Sequence, residues 1–89
     1  MKILHLTLTK KWFDMIKSGL KMEEYREIKP YWDKRLSKAY DAIRFANGYG
    51  KHVPHFTIEL KGVRIGNGNP EWGAPPYAVY ILSLGNILN

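Results

Sequence analysis

The sequence has no cysteine. A disulfide framework, a thiol nucleophile and a thiolate metal site are therefore excluded, and a cytoplasmic setting fits. No apolar run is long enough to span a bilayer. Residues 72–89 carry no charged side chain, but Pro75, Pro76, Gly85 and Asn86 interrupt them, so they read as a buried terminal strand and no membrane partner is expected. The opening MKILHLTLTKKW has His5, Thr7 and Thr9 within its apolar run and no small-residue cleavage signal, which makes it a first strand and not a signal peptide. There is no internal repeat and no low-complexity tract; Gly and Pro stand at separate turn-like positions.

Acidic residues are scarce. Eight Asp and Glu face fourteen Lys and Arg, for a formal charge of +6, a surplus that attracts a polyanion over long range. All the basic residues lie between Lys2 and Arg64, and from Lys29 to Lys51 six of them meet only Asp33 and Asp41. Tyr31, Trp32, Tyr40, Phe45 and Tyr49 fall in the same stretch. Cations for phosphates and flat rings for unpaired bases are what single-stranded nucleic acid requires. Burial in the core is the competing use for each ring.

At 89 residues, 45% apolar and 13% aromatic, the chain has the composition of one globular domain. A domain of this size buries roughly 60 to 65% of its unfolded surface, so a groove is expected in place of an enclosed cavity. Leu4, Leu6 and Leu8 alternate with Ile3, His5 and Thr7 as in a half-buried strand. Thr9 is placed to cap a helix in which Trp12, Phe13, Ile16 and the following Leu20 share a face, and Gly19 takes the left-handed C-terminal position. Residues 20–27 return to an extended pattern. Pro30 opens a short helix, PYWDKRLSKA, with Lys34, Arg35 and Lys38 as its basic face. YDAIRFA alternates about Ile43 and Phe45, NGYGK is a loop, and HFTIELKGVRIG is a long strand with Phe56, Ile58 and Leu60 inward and a bend at Gly62. NGNPEWGAPP forms a turn region in which Trp72 either lids the core or lines a cleft, the lid being favoured. YAVYILSL, apolar on both faces, is an interior strand. The sum is an α/β domain of the α+β kind, a small mixed barrel of about five strands with two peripheral helices.

Residues 19–32, GLKMEEYREIKPYW, mix both signs of charge. In an extended segment Glu24 and Arg26 project from one face, and a tight turn at Gly19 brings Lys21 beside them. A cation, a carboxylate and a guanidinium around one spot can hold a phosphate or a base edge: Lys21 as a point charge, Arg26 as a planar donor pair, Glu24 as the acceptor that orients it. A solvated surface ion pair is the plainer alternative.

Gly19, Lys21, Glu24 and Arg26 match GxKxxExR and so resemble the signature of the ASCH domain, a relative of the PUA domain. The preceding strand and helix are similar to that family's opening, and FANGYGKHVPHFTIELKGVRIGNGNPEWG looks like its small phage-associated members. The resemblance implies a compact PUA-like β-barrel over residues 1–89 and an RNA-facing cleft walled by the motif. Some members are amidohydrolases on acylated cytidine, using a Thr in this motif with its Lys and a later Glu. Here Glu24 stands where that Thr would be. If the chain is nonetheless a hydrolase, Lys21, Glu24 and Glu59 are its candidate groups.

His52 and His55 form HxxH in a loop with no third ligand near, so no metal and no cofactor is expected. Tyr49 and Lys51 in the NGYGK loop, with Arg44 and Arg64, are secondary candidates for stacking and phosphate contact. The expected partner is single-stranded RNA or a nucleotide-like ligand. A small hydrolase, whether ribonuclease or amidohydrolase, and a protein-interaction adaptor are the alternatives.

Overall fold

The computed structural model describes residues 1–89. The elements are β1 (Ile3–Leu8), α1 (Lys10–Lys17), β2 (Glu23–Arg26), α2 (Pro30–Leu36), β3 (Ala42–Asn47), β4 (His55–Gly66) and β5 (Val79–Ile87), with one 3-10 turn at Pro70–Trp72. The five strands form one mixed sheet in the order β1-β3-β4-β5-β2, curled into a half-barrel with two helices. Only β1 and β3 are parallel, joined through α1, β2 and α2; the other pairings are antiparallel. No helix is long and apolar enough to cross a membrane.

Period-two alternation decides the core. Leu4, Leu6 and Leu8 of β1 turn inward beside their register partners Ile43 and Phe45 on β3, and Phe56, Ile58 and Leu60 of β4 continue the layer. The helix α1 closes it with Phe13 and Ile16, Phe13 meeting Phe56 edge-on at 5.0 Å. The long strand β4 shifts register between Ile58 and Gly62, where its backbone bends. On β5, Ile81 and Leu82 are both buried, as an interior strand between β4 and β2 requires.

The sheet stops at a half-barrel where a small barrel was expected, because β1 and β2 remain unpaired edges; the other differences are local. Leu20, placed on the buried face of α1, is 68% exposed. Gly19 adopts φ +87°, and this left-handed residue turns the chain off the helix one position earlier. Thr9 precedes α1 in extended conformation, but its side chain makes no capping bond. The helix α2 ends at Leu36 and not at Ala39, with the Ser37 hydroxyl donating to the Lys34 carbonyl. The third strand begins at Ala42 and not at Tyr40, after Asp41 has taken the Lys2 amide at 2.8 Å. Strand β5 runs from Val79 to Ile87, later at both ends than the expected Tyr77–Leu84.

In the sheet order β1 and β2 are the two edges. Arg26 of β2 bridges them, its Nη2 approaching the Thr7 carbonyl at 3.4 Å, and beside it Arg35 ties α2 to β1 by donating to the His5 carbonyl at 3.2 Å. Trp32 lies under both guanidinium groups, 5.1 Å from Arg26 and 5.4 Å from Arg35. The seam of the half-barrel is therefore lined by polar side chains where the sheet's other strand pairs share a ladder.

Candidate functional site

The turn after α1 sets the site. The Lys21 amide donates back to the Met15 carbonyl at 3.0 Å, fixing the residue against the helix end, and the Leu84 amide donates to the Met22 carbonyl as β2 joins β5. Glu24 and Arg26 then share one face of β2. Glu24 accepts from Lys21 Nζ through Oε1 at 3.2 Å and from Arg26 Nη2 through Oε2 at 2.8 Å. The three groups of the motif meet at one place.

That place is a cleft of about 250 Å³ at the seam. Thr7, Leu8 and Thr9 form one lip, and Trp12 of α1 and Trp72 and Gly73 of the β4–β5 connection form the walls. Trp72 thus lines the cleft and does not lid the core. Gly73, at φ +91°, is held so close to Trp12 that a Cβ there would lie 2.7 Å from its ring. Gly68 packs on the Tyr25 ring in the same way, and the Tyr25 hydroxyl accepts the Asn69 amide at 3.0 Å. These contacts pin residues 68–73 against β2 and α1.

Lys21 is deeper than its expected role allows. It is 2% exposed; its ammonium donates to the Trp72 carbonyl and to Glu24, and lies 4.7 Å from the ring centroids of both Trp12 and Tyr25. Burial pulls its pKa below the ordinary 10.5, opposed by the Glu24 carboxylate and assisted by the Arg26 charge. An ammonium held this way positions Glu24 and the Trp72 backbone, and is no free phosphate contact. The group with capacity left is Arg26: its Nε is buried and has no partner.

Tyr25 donates to Glu23 at 2.8 Å, and its hydroxyl is pushed up to about 12, chiefly by burial, with the Glu23 bond adding to the shift. Burial opposes ionisation of Glu23, but bonds from Arg64 and Tyr25 outweigh it and hold its carboxyl below the usual 4.5.

The secondary candidates do not join the cleft. Arg64 pairs with Glu23 at 2.8 Å and donates to the Ser83 hydroxyl at 2.7 Å. Arg44 sits between His5 and Thr57 in register, on the sheet face away from Ile43 and Phe45. Tyr49, 89% exposed, and Lys51 lie in the loop that leaves β3 beside the C-terminal end of β1, where Leu8 faces Asn47. Glu59 accepts the Asn86 amide at 3.3 Å and is not among the residues lining the cleft. Conversely, Trp12, Tyr25 and Thr7 belong to the site with no sequence signal beyond their types, because what selects them is the approach of residues 68–73.

A larger hollow, about 340 Å³, lies on the far side of Lys21 between the end of α1 and β5. Its floor is Ile16, Ile58 and Leu84, and neither Glu24 nor Arg26 reaches it. Ligand chemistry is concentrated in the smaller cleft. No family model, curated protein or solved structure matches the chain.

Proposed function

We propose that this chain is an ASCH-type, PUA-like domain that binds single-stranded RNA or a nucleotide-like ligand at the seam cleft. One observation carries the proposal: Arg26, aligned by Glu24 at 2.8 Å and 20% exposed, lines a cleft walled by Trp12 and Trp72, and its Nε has no partner within the protein. A guanidinium with donors to spare beside flat rings suits a phosphate next to a base. The formal charge of +6 supplies the long-range attraction, and Arg44, Tyr49 and Lys51 are outlying contacts for a longer strand. The GxKxxExR pattern and the likeness to small phage-associated members point the same way.

Amide hydrolysis has less support. Glu24 stands in the nucleophile's place, and both its oxygens are engaged by Lys21 and Arg26. The test is titration of a short single-stranded RNA, followed by fluorescence anisotropy at several salt concentrations. Arg26→Ala is expected to lose about 1–3 kcal/mol of affinity with its circular dichroism unchanged. Full affinity in a folded Arg26→Ala protein overturns the assignment, as does RNA affinity that does not fall as salt rises.

A further inference from the structure

A second hollow, of about 220 Å³, adjoins the seam cleft and shares three residues with it: Tyr25, Arg26 and Gly73. Its remaining lining is Glu27, Pro75 and Val79. Each hollow alone is smaller than the roughly 300–1,000 Å³ of ordinary small-molecule sites, while the two together fall inside that range. Their chemistry differs. The first is lined by Thr7 and Thr9 and has indole walls. The second offers an apolar floor at Pro75, with Val79 buried beneath, and one acidic lip, Glu27, whose Oε1 already accepts the Tyr77 hydroxyl at 2.9 Å. Between them stands Arg26, with its buried unpaired Nε.

From this arrangement we infer that the site takes two linked nucleotide units. One base enters the seam cleft, the phosphodiester lies at Arg26, and the second base lies on Pro75, over the buried Val79, with its exocyclic amino group donating to Glu27. The inference rests on the RNA-binding proposal and specifies its ligand: at least a dinucleotide, with an amino-bearing base in the second position. A carboxylate accepts from the cytosine N4 amino group and cannot accept from the O4 of uracil, so cytosine is favoured there over uracil. Glu27 is exposed and stands past the end of β2, so its removal leaves the fold intact.

The experiment compares cytidine monophosphate, CpC, CpU and UpC by amide-shift titration of the whole chain and of Glu27→Ala. CpC is expected to bind at least about tenfold tighter than the mononucleotide, because a second base gains a surface to rest on. Its shifts should spread from Thr9 and Trp12 to Val79. The dinucleotide with uracil in the second position should gain less, and Glu27→Ala should erase that difference. Equal affinity for CpC and the mononucleotide, with Val79 unmoved, overturns the second subsite and leaves RNA binding standing. A CpC preference that survives Glu27→Ala overturns the role given to Glu27. No saturable shift with any of these or with a longer single-stranded RNA removes both the inference and the proposal beneath it.

Discussion

Glu23 and Glu24 are neighbours on one short strand, and each holds an arginine at 2.8 Å. By bond length the two pairs are twins. Their surroundings are not: the side chains of Arg26 and Glu24 are 20% and 7% exposed, those of Arg64 and Glu23 56% and 21%. Alternation along β2 sends Glu24 toward the seam, beside Lys21, Arg26 and the cleft walls Trp12 and Trp72, and Glu23 to the opposite face with the Tyr25 hydroxyl and Arg64 on the tail of β4. In water the Coulomb attraction of such a pair is nearly cancelled by solvation, whereas in a site closed by rings it is not, and neither is the penalty for leaving a charge alone. Contact distance therefore does not rank the two pairs; the medium does.

The comparison is broken most directly at Glu24. Glu24→Ala leaves Lys21 buried with only the Trp72 carbonyl and two ring faces, and should cost about 3–5 kcal/mol in urea unfolding. A cost under about 1 kcal/mol would make the seam pair equivalent to a surface one. Next in size is Gly73→Ala, which puts a Cβ into the Trp12 ring at a backbone conformation that alanine resists. It should lose about 1–3 kcal/mol and weaken the proposed RNA binding by shifting the Trp72 wall, readable as a lower urea midpoint and a raised dissociation constant.

Alkaline titration sharpens the same contrast. The folded Lys21 pKa lies below its unfolded value of 10.5, so between the two the unfolded chain binds more protons and this group's contribution to stability rises with pH. Tyr25 acts oppositely: unfolded it ionises near 10.0, folded at about 12, so its contribution falls across that interval. Urea midpoints measured from about pH 8 to 11 should show the rise vanish in Lys21→Met and the later fall diminish in Tyr25→Phe. The smallest effect is expected at the solvent-facing pair, where Arg64→Ala should cost no more than about 1 kcal/mol and 1 M salt should mask the difference from wild type.

The elements that turned out as expected are those with a strong local period. Leu4-Leu6-Leu8 and Phe56-Ile58-Leu60 are buried as their alternation requires, and Gly19 ends α1 in the left-handed region. Element ends were less legible, since the stop of α2 depends on the Ser37 hydroxyl and the start of β3 on the Asp41 carboxylate reaching Lys2. The convergence of Lys21, Glu24 and Arg26 was visible as a spacing of three and two residues around a tight turn. The depth of Lys21 was not visible, nor was the place of Trp72, because both depend on residues about fifty positions away in the chain.

By itself, then, the order of residues determined the strand and helix periods, the turn at Gly19 and the common face of Glu24 and Arg26, because each follows from dihedral preference and side-chain direction within a few residues. Only the tertiary structure decided which charges were taken out of water. Burial is set by what packs on top, and here the cover is the glycine-containing segment 68–73, folded back onto the rings of Trp12 and Tyr25.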